Sequence, residues 1–158
     1  MTDASAPAAT CQTVAESSPC FALRKASRAV TQLFDEALRP SRLHSTQFTL
    51  MVALRLTGAV GVSRLAEELV TDASTLSRNL AVLERRGLVA YSTANGDRRV
   101  RRVSLTVAGN AALARALPAW EEANNRLRAT VTPPESADLL ARLDVLTRAA
   151  VGARRSRR

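Results

Sequence analysis

The chain has 158 residues, 46% of them hydrophobic but only 3% aromatic, so a single domain with a core of Ala, Leu and Val is expected, a composition that favours helices. Its 23 Lys and Arg against 14 Asp and Glu leave a net charge of +9, which points to an acidic partner. No stretch reaches the ~20 apolar residues of a membrane span, no secretory signal opens the chain, and Cys11 and Cys20 lack neighbours at metal-ligand spacing; a cytoplasmic protein with no membrane partner, metal or cofactor is expected.

Residues 1–19 are rich in Ala, Ser, Thr and Pro without periodicity and are expected to form a disordered arm. From residue 20 to 38, Leu23, Ala26, Val30, Leu33 and Ala37 recur at steps of three and four, the spacing of one helical face. Pro40 ends that helix, because the residue before proline is pushed out of the α region. A second helix is expected over about 46–56, with Phe48, Met51 and Val52 on one side and Gly58 as its stop. Ser63 is the expected N-cap of a short helix over 64–70. Another helix over 74–86, closed by Gly87, completes a helix-turn-helix.

Beyond Gly87, residues 88–91 read as a strand, Asn95-Gly96 as a turn and residues 100–105 as a return strand. A hairpin after the second helix of such a unit makes it a winged helix-turn-helix, so the fold class is mainly α with a two-stranded β wing. Thr106 is an expected N-cap for a helix to about 127, which Pro118 should bend. Pro133-Pro134 breaks the chain before a last helix over 137–151, marked by Leu139, Leu143, Leu146 and Ala150. The expected organisation is a single domain over 20–151, its lobe of the helix-turn-helix and wing spanning about 46–109, followed by a basic tail, 152–158.

The excess charge has an address. Seven arginines and two acids lie between residues 74 and 102, and four arginines with no acid lie in 152–158, leaving twelve bases and twelve acids elsewhere. Localised positive charge suggests nucleic acid, although an arginine-rich terminus is often only a solvated tail. On the 74–86 helix, 100° per residue gathers Leu76, Leu80 and Leu83 on one arc. The opposite arc carries Ser74, Arg78, Ala81 and Arg85, flanked by Thr75 and Ser77. Small side chains let such a face approach a groove floor, hydroxyls bond phosphates or base edges, and Arg78 reaches the bidentate contact with guanine. The free N–H groups at its start would also face phosphate. On the hairpin, Asp97 is expected to orient Arg99 toward a narrow minor groove, with Arg98 and Arg101 on phosphates. A solvated helix face and an exposed ion pair are the plainer readings of these two segments.

Ser74-Thr75-Leu76-Ser77-Arg78, Leu83-Glu84-Arg85-Arg86-Gly87-Leu88-Val89, Asp97-Arg98-Arg99 and Leu105-Thr106-Val107-Ala108-Gly109 together resemble the MarR (multiple antibiotic resistance regulator) family over roughly residues 20–150. The resemblance implies a homodimeric regulator of transcription, usually a repressor, on a pseudopalindromic double-stranded DNA operator. It further implies a dimer contact from the first and last helices, here about 20–38 and 110–151, and a crevice where an effector, a small molecule or an oxidant, acts. Cys20-Phe21-Ala22-Leu23 is similar to the start of the first helix in the family's organic-hydroperoxide regulators, where a cysteine is oxidised. The positions that there supply tyrosine hydroxyls to the sulfur read Arg24, Phe34 and Ser45 in this chain. Cys20 therefore stands as either a redox sensor or a small buried residue, with Cys11 as a remote candidate for a resolving thiol.

Trp120 and Met51 are candidates for a crevice lining or, more simply, for the core, and His44 for a surface position. No nucleophile, base and orienting partner assemble, so the chain is not expected to be an enzyme. The alternative to a regulator is a winged-helix module for non-specific DNA or protein binding without effector control.

Overall fold

A computed structural model describes residues 7–94, 97–130 and 132–156, with no side chain described at 94, 97–100 and 155. The elements run α1 (Ala8–Ser17), α2 (Pro19–Leu38), a 3-10 turn (Arg39–Ser41), α3 (Ser45–Thr57), β1 (Val60–Gly61), α4 (Val62–Glu68), α5 (Ala73–Arg85), β2 (Val89–Ala94), β3 (Asp97–Leu105), α6 (Val107–Arg128) and α7 (Pro133–Arg155). The core gathers Leu38, Met51, Leu54, Leu65, Leu80, Leu83 and Val103, all essentially inaccessible. It thus joins α2, α3, α4, α5 and the sheet in one apolar cluster.

Five sequence expectations need correction. Part of the arm expected to be disordered forms α1, although this helix buries no residue, so it is held by local interactions such as the Gln12 Nε2 to Glu16 Oε1 hydrogen bond at 2.9 Å. The N-cap of α4 is Gly61, and Ser63 lies inside the helix. The sheet has three strands in the order β1-β3-β2, because Val60 and Gly61 pair antiparallel with Val103 and Arg102. Pro133 and Pro134 begin α7, since a proline in the first turn loses only a donor that would be unpaired anyway; Thr132 and Glu135 close a capping box around them. That helix also continues through Arg155, so the expected tail begins as its last turn.

The face of α2 is a sixth difference. Phe34 and Leu38 turn into the core, while Leu23 and Val30 of the expected apolar stripe lie on the surface, 39% and 36% exposed. The helix has two apolar sides, and the chain itself covers only one. In α6, the helix runs unbroken through Pro118.

The close packing of the wing on α6 depends on one glycine. Gly109 sits in the first turn of α6 against the backbone of Leu88, where a Cβ would overlap the Leu88 carbonyl oxygen. Gly109→Ala should therefore destabilise the fold by about 1–3 kcal/mol. Helix propensity alone would make the same change stabilising by up to about 1 kcal/mol, so the sign of the shift in a denaturant midpoint decides the matter.

Candidate nucleic-acid interface

Helix α5 begins one residue earlier than its expected start. Its N-cap is Asp72, whose Oδ1 accepts from the Thr75 amide at 2.7 Å and from the Ser74 hydroxyl at 2.6 Å. The Ser74 hydroxyl and the Thr75 N–H together hold the Asp72 carboxyl well below its ordinary value of 3.8. This changes the expected picture of free N–H groups aimed at phosphate, because one of them is already bonded to a carboxylate. Asp72 is the residue that sequence reasoning missed. Its signal was present, an Asp three residues before the Thr75 amide.

Along α5, Leu76, Leu80 and Leu83 are buried, as the helical projection requires. Ser74, Ser77, Arg78 and Arg85 are exposed, and Thr75 is half-buried. Arg78 Nη2 donates to Thr75 Oγ1 at 3.2 Å, which steadies the guanidinium one turn above the hydroxyl. Arg86, counted in the basic segment, has a different partner: its Nη1 donates to the Arg42 carbonyl at 2.6 Å, tying the end of α5 to the loop before α3.

The C-terminus of α5 closes as a Schellman motif. Gly87, at φ +68°, adopts the left-handed conformation, its N–H donates to Glu84 and the Leu88 N–H donates to Leu83. The chain then enters β2, which pairs with β3 from Val89↔Leu105 to Thr93↔Arg101. On this wing the Arg101 guanidinium lies over the Tyr91 ring, 4.3 Å from its centroid. Burial raises the Tyr91 hydroxyl pKa, the Glu84 carboxylate adds to the rise, and Arg101 opposes it. Asp97, Arg98 and Arg99 have strand backbone, but their side chains lie outside the described residues. The expected Asp97 to Arg99 pairing lies outside the described residues.

A second feature adjoins α5. A cavity of about 420 Å³ opens between α2, α3, α5 and α6, with Phe34, Phe48, Thr75, Asn79 and Trp120 among its lining residues. Trp120 stacks on Phe48 with centroids 6.0 Å apart and an interplanar angle of 17°. Of the two expected crevice candidates, Trp120 reaches the cavity and Met51 is wholly in the core. His44 is exposed, as expected, and precedes α3, with Nδ1 3.3 Å from Asp35 Oδ2. Asp35 also accepts the Ser45 amide at 2.6 Å, so an α2 carboxylate caps α3. Cys20 and Cys11 are both exposed thiols, which removes the buried-filler reading of Cys20 within the chain.

Residues 43–100, from the loop before α3 to the wing, match the MarR family. The M. tuberculosis transcriptional regulator MosR, solved in complex with DNA, is 36% identical, with 84% of this chain and 97% of that chain covered and a TM-score of 0.72. The chain belongs to the MarR family. A probable transcriptional regulator from Pseudomonas aeruginosa is 30% identical, covering 83% of this chain and 98% of that one at a TM-score of 0.75. The transcriptional repressor CouR, bound to a 23-mer DNA duplex, is 26% identical, covering 82% and 92% at a TM-score of 0.76. Comparison with curated protein sequences gave no match. As a MarR-family protein, the chain is a DNA-binding transcriptional regulator, and no described helix is long and apolar enough to cross a membrane.

The cap of the MarR recognition helix has a pH signature. A carboxyl whose pKa is lowered by folding contributes stability that is complete above its ordinary value and is lost as pH falls through the folded value. The stability advantage of the wild type over Asp72→Asn should thus be constant at neutral pH and shrink below about pH 3.8. Paired denaturation curves at stepped pH measure it; a pH-independent difference would remove the carboxylate from the cap.

Proposed function

We propose that the chain is a homodimeric, sequence-specific repressor that binds a pseudopalindromic operator and is released from it by an effector. The observation that carries this reading is the exposed polar and basic face of α5, with Ser77, Arg78 and Arg85 beside a wing whose Arg101 is held on Tyr91. Two such helices, related by a dyad, fit successive major grooves about one helical turn apart. Ser74, Thr75, Ser77, Arg78 and Arg85 are assigned to the major groove and its phosphates. Arg98, Arg99 and Arg101 are assigned to the wing contact, with Asp97 orienting Arg99. The DNA complexes of MosR and CouR support the assignment of DNA as partner.

Dimerisation is assigned to α2 and α7. Among the described residues α7 buries none, and Leu139, Leu140, Val145 and Leu146 are 43–65% exposed. Phe21, Leu23 and Val30 extend the exposed apolar surface on α2. Apolar area of this extent is stabilised by a second copy of the chain. Leu140→Glu should shift the protein from dimer to monomer, seen as a halved mass in light scattering. The effector acts by binding better to the geometry that does not fit DNA, as a small molecule in the cavity or as an oxidant at the exposed Cys20.

Arg78→Ala separates specific from non-specific binding. Titrated against its own promoter and a random duplex at several salt concentrations, the wild type should prefer the promoter. Arg78→Ala should lose about 1–3 kcal/mol of that preference. Equal affinity for both duplexes in the wild type, with a steep salt slope, would instead favour a non-specific module.

A further inference from the structure

We propose that Arg86 is a positioning residue for operator binding: it latches the end of the recognition helix to the connector leaving α2, and so fixes how far apart two such helices stand in the dimer. The inference rests on the dimeric reading above. Arg86 is the C-cap of α5, eight residues beyond Arg78, which places it about 12 Å further along the helix axis and about 80° around it. It therefore stands off the face shared by Ser74, Arg78 and Arg85. Its Nη1 donates to the Arg42 carbonyl at 2.6 Å. Among the described residues this is the one hydrogen bond that joins residues 73–86 to the chain before α4. Thr106 ties the neighbouring Gly87 to the start of α6, and Arg86 adds the tie to the α2 side.

The acceptor belongs to a connector with little freedom of its own. Residues 39–42 lie between two buried anchors, Leu38 and Leu43. The Arg42 N–H donates to the Arg39 carbonyl at 2.9 Å, and just beyond, Asp35 of α2 accepts the Ser45 amide at 2.6 Å. Arg42 itself is left-handed, at φ +53° and ψ +33°, a conformation that is unfavourable for any residue with a Cβ. Its surroundings hold it there, and the turn it makes sets where its carbonyl points. The link thus runs from α2, assigned to the dimer contact, to α5, assigned to DNA. Core packing of Leu76, Leu80 and Leu83 keeps α5 in place but constrains its orientation less, because apolar attraction is non-directional. A hydrogen bond from a planar guanidinium at the helix end is directional and supplies that constraint.

Pulsed electron paramagnetic resonance on the DNA-free full chain measures the spacing directly. Cys11→Ser and Cys20→Ser remove the two native thiols, and Ser77→Cys carries a spin label at an exposed position of α5. Arg86→Met keeps the stem and removes every donor, and should broaden the distance between the two labels. Arg86→Lys keeps a donor and should restore a narrow one. Arg86→Gln, shorter and neutral, replaces Arg86→Met if that variant misfolds. A merely structural loss would lower the folded fraction without broadening the distance among folded dimers. On DNA, one base pair inserted at the centre of the operator moves the half-sites apart by about 3.4 Å. It should weaken the wild type about tenfold and Arg86→Met about threefold or less. The salt slope of Arg86→Met should equal that of the wild type, because no phosphate contact is lost. An Arg86→Met distance as narrow as the wild type's, an Arg86→Lys distance as broad as Arg86→Met's, an unchanged spacing penalty, or a salt slope lowered by about one would each overturn the inference. A wild type that gives no distance between labels would instead remove the dimeric reading, and this inference with it.

Discussion

The DNA-facing half of the molecule is fixed by one corner, where α5 ends, the wing starts and stops, and α6 begins. Thr106 holds it. Its hydroxyl donates to the Gly87 carbonyl at 2.6 Å and accepts from the Gly109 amide at 2.9 Å, while its own amide donates to the Leu88 carbonyl at 3.1 Å. One residue thereby caps α6, ties down the Schellman turn of α5 and closes the base of the β2–β3 hairpin. Gly109 lets the α6 backbone come close enough for the arrangement to exist. The angle between recognition helix and wing is therefore set by the hydrogen bonds of the Thr106 hydroxyl and amide and by steric contact of Gly109 with the Leu88 backbone.

Electrostatics act on top of that frame. The chain concentrates positive charge on α5 and the wing and again at the end of α7, but the arginines are not equivalent. Arg86 serves the fold by bonding the Arg42 carbonyl, and Arg101 is steadied by Tyr91, so neither is a freely moving cation. Holding a guanidinium in place reduces the entropy lost when it meets phosphate. Asp72 has the opposite sign at the same surface. It stabilises the first turn of α5, yet places a carboxylate beside the end of the helix that DNA would approach, so part of the local positive field is given up for a defined helix start.

Much of this was legible in the sequence where local chemistry decides. The Leu76, Leu80 and Leu83 stripe, the Gly87 stop and the Thr106 cap all depend on residues within a few positions of one another, whereas the expected Asn95-Gly96 turn lies outside the described residues. The misreadings have two physical sources. Short or weakly stabilised elements lack periodicity: β1 has only two residues and becomes a strand through its pairing with β3, and α1 buries nothing. In addition, periodicity reports that a face is apolar but not what it meets. The Leu23 to Ala37 stripe of α2 is regular, yet the chain's own core takes Phe34 and Leu38. Asp72 was obscured because Ser74, another good N-cap type, stands two residues later. Of the cavity lining only Trp120 was among the expected crevice candidates, since the other residues come from segments distant in sequence.

The position of Thr75 gives the cavity a route to the DNA-facing surface. Its amide is capped by Asp72, its hydroxyl accepts from Arg78, its carbonyl accepts from Asn79, and its side chain lines the cavity. Under the effector reading proposed above, a group bound in the cavity and a phosphate outside would compete for the arrangement of one turn of α5. No long relay is needed, because both surfaces share the same residue. The size of the effect is bounded by how differently an occupant binds the two arrangements of that turn. Rearranging one or two hydrogen bonds of about 1 kcal/mol each corresponds to roughly five- to thirtyfold in affinity at each site. With two such helices engaged on one operator the factors would multiply, so under the proposed effector reading a modest local preference in the cavity would suffice to clear the DNA.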